Sequence, residues 1–333
     1  MKTSVRSTPF GALMTFGLPL LLAGTVGETQ PESPATPSAV PDVLEGRDEA
    51  SGAAPQGSDE LSSVDSDQVQ YWIERFSGDQ RVTFQSFFER RGRFEGMIRA
   101  RLAARGLPSE LLYLAMIESG FAIEAVSGAE AVGLWQLMAP TAQHLGLRVD
   151  EWVDERRDPW RATDAALDYL ELLYARYGSW HLAMAAYNAG PVRVDAALAA
   201  TPLGAARFIA AEEVGRAHPG AERFRDIRRQ LPFETRHHVA RVMAAATLAR
   251  DAKAYGFSTR TEAPVTFDVV WVPGGSALSQ VAQMLEVPIG RLGELNAHLI
   301  ADVTPPDQAW GLRVPRGMGD AVVRGFAEGA PPT

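Results

Sequence analysis

The sequence predicts a mainly α-helical chain that ends in a small βααβ unit, and two patterns carry that prediction. From Tyr71 to about Ala254 apolar residues recur at helical spacing, Gly and Pro punctuate them, and no run of alternating strands appears. From Ala263 to about Gly317 the pattern changes to strand, helix, helix, strand. Composition agrees with folded units: 333 residues, 46% hydrophobic and 22% charged.

Taken in order, residues 1–27 read as an export signal. Lys2 and Arg6 precede an apolar stretch from about Phe10 to Val26, which Gly11, Gly17 and Pro19 interrupt. It is too short and broken for a membrane span. Leu22-Ala23-Gly24-Thr25 has the shape of a lipoprotein cleavage box with Thr where Cys would stand, so no lipid anchor is expected. Residues 28–70 hold ten acidic side chains and one basic one, five Pro, seven Ser and no aromatic, which predicts an acidic disordered linker. A helical extension over 71–105 and a helical domain over 106–254 follow. Within the latter, Leu107-Pro108-Ser109 opens a helix with Ser109 as its cap. Gly120 ends it, Thr163 to Tyr177 forms another, and Ser179 caps the next, from Trp180 to about Asn188. A last helix runs from about Glu234 to Ala254. Residues 318–333 read as a frayed tail.

Charge and composition exclude several chemistries. The acidic segment alone has net charge −9, equal to the whole chain, so residues 71–333 carry only −2 and present no basic nucleic-acid surface. There is no Cys, hence no thiol nucleophile, disulfide or thiolate zinc site. Lys occurs only at Lys2 and Lys253, and neither follows Gly, so no phosphate loop forms. The six His include no His-Glu-x-x-His pair. No metal or organic cofactor is expected.

Glu118 is the residue that asks for a function. It lies at the carboxyl end of an almost wholly apolar helix, where burial and the negative end of the helix dipole both favour the protonated acid. Such a group can donate a proton near neutrality. By itself, a buried Glu satisfied by hydrogen bonds, or an exposed helix end, explains it better.

Four segments in order change that balance: Ile117-Glu118-Ser119-Gly120-Phe121, Gly133-Leu134-Trp135-Gln136-Leu137-Met138, Ala186-Tyr187-Asn188-Ala189-Gly190 and Glu234-Thr235-Arg236-His237-His238-Val239. With Trp152 to Pro159, they make the chain resemble the family 1 lytic transglycosylases of bacterial cell walls, of the membrane-bound lytic murein transglycosylase D type, over roughly Phe94 to Ala254. The resemblance implies a lysozyme-like α-helical catalytic domain. It implies cleavage between N-acetylmuramic acid and N-acetylglucosamine with ring closure to a 1,6-anhydro product. Glu118 matches the family's single catalytic carboxylate. Ser119, Gln136, Tyr187, Asn188 and His238 match its substrate-binding positions. Other roles compete: Ser119 and Asn188 as helix caps, Tyr187, Trp135 and Met138 as packing, and Trp152–Pro159 as a surface loop stitched by Arg–carboxylate pairs.

Two positions depart from the family. His238 stands where Tyr is usual, and a protonated His there would lower the Glu118 pKa. Glu130 stands where Gly is usual. Residues 263–317, with Leu292-Gly293-Glu294-Leu295-Asn296, resemble a lysin motif (LysM), which implies a glycan-binding domain; a structural cap is the alternative. The expected partner is the peptidoglycan glycan strand, and the expected location is exported, periplasmic or wall-associated. A hydrolytic muramidase using the same Glu, or a non-catalytic peptidoglycan-binding protein, are the other readings.

Overall fold

The computed structural model describes residues 66–201 and 220–329. The expected signal and residues 28–65 of the acidic linker lie outside them. The first helix, α1 (Ser66–Ser77), starts inside the segment read as linker, because Val69, Trp72, Ile73 and Phe76 give it one apolar face against the core. Two further helices follow, α2 (Arg81–Arg91) and α3 (Glu95–Ala104). A 3₁₀ turn over Ser109–Leu111 then leads into α4 (Leu112–Ser119). Ser109 was expected to cap this helix but does not. It sits inside the 3₁₀ turn, and its hydroxyl donates to Glu110 instead.

After the short α5 (Ala139–His144) come α6 (Pro159–Tyr177) and α7 (Trp180–Ala189), which pack on each other. Asp158 caps α6 by accepting from the Trp160 and Arg161 N–H groups, and Pro159 takes the first helical position. Gly178, at φ +60°, ends α6, and Ser179 caps α7 as the sequence predicts. The chain continues through α8 (Pro191–Ala199), α9 (Gly220–Ile227) and α10 (Phe233–Arg250). Helix α10 packs against α1, α4 and α7 together, so it closes the helical core from one side.

The carboxyl-terminal unit has the expected order: β1 (Phe267–Val272), α11 (Leu278–Met284), α12 (Ile289–Leu295) and β2 (Trp310–Pro315). The strands are antiparallel, with Val269 opposite Arg313 and Trp271 opposite Gly311. Residues 319–327 correct the expectation of a frayed tail. They form α13 (Gly319–Ala327), whose Val322 is fully buried in this second core, with Met318, Ala321 and Phe326 beside it. Gly319 lies close on Val270 and Gly325 on Met284, so the helix is seated rather than frayed.

The stretch 152–158 corrects another expectation. It is no surface loop: Asp154, Glu155, Arg156 and Asp158 are all buried. Val153 belongs to the second core although it precedes α6 in the first. Its segment pairs with 298–300: Val153 bridges to Leu299, the Asp154 N–H donates to the His298 carbonyl at 2.8 Å, and the Ile300 N–H donates to the Trp152 carbonyl at 3.0 Å. Arg313 on β2 reaches back to Asp158 at 2.5 Å, and its guanidinium lies over Trp160 and Phe267. The two units are thus clamped through one strap.

Removing one member of a buried ion pair leaves the other charged and unpaired. Asp158→Ala also removes the cap of α6. It should lower stability by about 3–5 kcal/mol, read as a lower urea midpoint.

Candidate active site

Glu118 occupies the last turn of α4. Every residue from Leu112 to Met116 is buried, and the Glu118 side chain is only 14% exposed. Gly120 closes the helix at φ +57°, and its N–H donates to the Met116 carbonyl. A Cβ at this glycine would stand 2.4 Å from the Phe87 ring, so the turn after Glu118 demands Gly for both space and backbone conformation. Arg90 donates to the Gly120 carbonyl at 2.7 Å, which fixes the turn to α2.

Helix α10 faces this carboxyl. Glu234, His238 and Arg241, at spacings of four and three, share one side of it. His238 Nε2 lies 3.3 Å from Glu118 Oε1, a close approach whose angle does not make a hydrogen bond. Burial, and then the charge of Arg241, push the His238 pKa down to about 3. The ring is therefore neutral at physiological pH, and it does not suppress the proton on Glu118. Burial, and then the negative charge of Glu234, push the Glu118 pKa up to about 8, against the opposing pull of Arg241. At neutral pH Glu118 is mostly the protonated acid. Arg241 is itself half-buried, and its guanidinium lies 4.3 Å from the centre of the Trp72 ring.

The remaining positions frame the acid. Tyr187 on α7 donates to the Trp135 carbonyl at 2.7 Å, and burial and then the Glu118 charge hold its phenol well above the ordinary range. Its ring lies 5.6 Å from that of Tyr169, which burial raises to about 12. Asn188 Oδ1 accepts from Thr235 of α10 at 2.7 Å, leaving the Asn188 amide N–H groups as its donors. Asn188 lies within α7 and does not cap it. Ser119 is buried and donates to the Leu134 carbonyl at 2.8 Å and the Ala115 carbonyl at 3.2 Å. Gln136, at φ +49°, donates its amide to the Ala125 carbonyl at 3.1 Å and the Gly133 carbonyl at 2.9 Å. Trp135 is fully buried, with its indole N–H on Thr163.

Glu118, His238 and Tyr187 therefore gather at one point. Ser119, Gln136 and Asn188 form its supports: Ser119 and Tyr187 both hold the 133–137 turn, and Asn188 joins α7 to α10. His238 is 2% exposed and lies on the protein side of Glu118. Glu130 is exposed, and its φ of +63° explains why a Gly suits that place.

Sequence reasoning quoted Glu234 and Thr235 only as part of a segment and missed Arg241; for Glu234 and Arg241 the four-three spacing through His238 along α10 was the available signal. It also missed Arg156. This residue pairs with Asp154 at 2.8 Å and donates to the Glu130 and Leu137 carbonyls at 3.1 and 3.2 Å. Gly133 packs on the Arg156 carbonyl so closely that a Cβ would stand 1.9 Å away. The buried strap thus holds the turn that carries Gln136.

A folded-state pKa near 8 against an ordinary 4.5 means the native chain holds a proton that the unfolded chain has lost between those values. The stability this proton gives is complete below about pH 4.5 and is lost as pH rises through about 8. Glu118→Gln cannot ionise. It should be more stable than wild type at pH 9, and the gain should shrink steadily toward pH 5 in urea titrations.

Residues 96–206 match the family model described as Transglycosylase SLT domain, and residues 266–324 match that described as Lytic transglycosylase MltD, LysM-like domain. The second match includes most of α13. Membrane-bound lytic murein transglycosylase D of Escherichia coli (strain K12) is 27% identical over 234 residues, which is 70% of this chain and 48% of that protein. Its counterpart from a second Escherichia coli strain matches to the same extent. The chain thus spans about half the length of the curated relatives it matches. A solved structure of an inactive mutant of lytic transglycosylase Slt from Pseudomonas aeruginosa is 24% identical with a TM-score of 0.35, covering 47% of this chain and 24% of that one. By both family models, this chain carries a transglycosylase SLT domain followed by an MltD-type LysM-like domain, and it is homologous to the Escherichia coli membrane-bound lytic murein transglycosylase D.

Proposed function

We propose that this chain is a peptidoglycan lytic transglycosylase, with Glu118 as its single acid–base group. One observation carries the reading: the carboxyl of Glu118, withheld from water at the end of α4, keeps its proton up to about pH 8. In the first step the Glu118 proton passes to the oxygen linking N-acetylmuramic acid to N-acetylglucosamine. The C1–O bond breaks, the N-acetylglucosamine side leaves as an alcohol, and positive charge develops at C1. In the second step the carboxylate of Glu118 takes the proton of the muramyl C6 hydroxyl, and O6 closes on C1. The acid is restored, no water is consumed, and one product ends in a 1,6-anhydro ring. Neutral His238 and the phenol of Tyr187 crowd the carboxyl without supplying a competing positive charge.

The site residues take distinct parts in this proposal. The Asn188 amide donates to an N-acetyl carbonyl of the substrate. Gln136, its own N–H groups engaged, offers its amide oxygen to the muramyl group. Ser119 acts on the turn that carries Gln136. The LysM-like unit extends contact along the glycan. Among the described residues no helix is long and apolar enough to cross a membrane. The basic, apolar amino terminus supports an exported chain working at the wall, in the periplasm.

Glu234 favours a second reading. It is the carboxylate whose charge acts on Glu118, and two carboxyls flanking a bond are what a hydrolase needs. In that reading Glu234 would activate water, and the product would be heavier by one water than the anhydro form. Mass spectrometry of muropeptides released from purified sacculi decides between the two. The expected product is the anhydro form, and a wholly hydrated product would refute the transglycosylase reading.

Two variants test the roles. Glu118→Gln should lower the release rate by about 10²–10⁴-fold, with sacculus binding retained. Glu234→Gln removes a negative neighbour, so the Glu118 pKa falls and the alkaline limb of the kcat/KM profile moves to lower pH. Activity at pH 6 should persist. Its loss there, with hydrated products from the wild type, would establish Glu234 as a base.

A further inference from the structure

Helix α10 has a second face beside the one that meets Glu118. Phe233 and His237, four residues apart, stand one position before Glu234 and His238, and so lie about 100° around the helix from them. Their neighbour across the surface is α1. Tyr71 of α1 is 45% exposed and Phe233 is 59% exposed, both large values for aromatic rings. Between them sits the half-exposed ring of His237, 6.3 Å from Tyr71 and 4.5 Å from Phe233. Beneath them Trp72 is buried, and its indole N–H donates to His237 Nδ1 at 3.2 Å. That bond fixes the tautomer of the neutral ring, so Nε2 carries the proton and is its remaining donor.

The patch is continuous with the acid centre. Trp72 supports His237 on one side and lies under the Arg241 guanidinium on the other, and Arg241 acts electrostatically on Glu118, Glu234 and Tyr71. Two exposed rings flanking one N–H donor suit a pyranose. The C–H face of the sugar covers an aromatic ring, and a hydroxyl or acetamido oxygen accepts from the donor. A flat apolar partner would leave the Nε2–H unpaired.

We propose that Tyr71, Phe233 and His237 form an accessory subsite for an N-acetylhexosamine of the glycan strand, beyond the two sugars joined by the bond that Glu118 attends. The subsite lies outside the matched SLT segment, on α1 and the first turns of α10. It rests on reading the Glu118 centre as a glycan site, but not on which reaction occurs there. Long strands therefore gain a contact that short ones cannot reach.

The test uses the full chain carrying Glu118→Gln, so that binding is read without turnover. β-1,4-linked N-acetylglucosamine oligomers of four and eight units are titrated calorimetrically. Adding Tyr71→Ala and Phe233→Ala should weaken octamer binding about tenfold and leave tetramer binding unchanged. Both rings are exposed, so the urea midpoint should hold. Tyr71→Phe alone, which keeps the ring, should retain octamer affinity. Unchanged octamer binding, or an equal loss for both lengths, overturns the subsite. So does loss of self-association in sedimentation without loss of octamer binding, which would mark the patch as a contact between copies. If the wild type proves to release hydrated products, the length dependence still stands or falls by these titrations.

Discussion

Everything at the centre of this molecule follows from keeping one carboxyl group dry. Helix α4 is apolar along its length, and Glu118 is placed where the helix ends and α10 crosses it. A carboxylate there would face poor solvation, the negative end of a helix dipole and the charge of Glu234. One cation, Arg241, works in the opposite direction, and its own burial limits what it can offer. The balance keeps a proton on this carboxyl at neutral pH. A residue charged positively at that pH in place of His238, 3.3 Å from Glu118, would upset the balance.

The supports around the acid are mostly backbone carbonyls held by side-chain donors. Ser119, Gln136, Tyr187 and Arg156 all end on carbonyl oxygens of the loop from Ala125 to Leu137. The loop also closes on itself, with Val132 and Leu137 exchanging backbone hydrogen bonds and the Gly133 N–H on the Ala125 carbonyl, and the side-chain anchors tie this folded shape, with its positive φ values at Glu130, Gly133 and Gln136, to the helices around it. Residues that look like substrate contacts in a linear motif are therefore partly the scaffold of the site. The motif is specific because two jobs are written into the same few positions.

Much of this was legible in the sequence. The helices ended by Gly120 and Gly178, the Ser179 cap, the βααβ order and the unusual setting of Glu118 all follow from local rules. What escaped was non-local. Nothing in Trp152–Pro159 says that its charges are buried, because their partners lie on β2 and in the 130–137 loop. The α13 helix was missed because it is short and its apolar residues find their partners on β1 and α11, far away in sequence. The His238 ring showed the danger of a protonated neighbour, but its neutrality depends on burial that no spacing reveals.

The strap that gives Val153 to one core and Asp158 to the next helix of the other also bears on how such a chain can evolve. A domain joined by a tether can be duplicated, lost or exchanged with little harm to its neighbour. Here recombination between the start of α6 and β1 would separate a valine from its pocket and Arg313 from its only buried carboxylate among the described residues. The carboxyl-terminal unit is thus tied to the helical one, and substitution in it is constrained by a partner more than a hundred residues upstream.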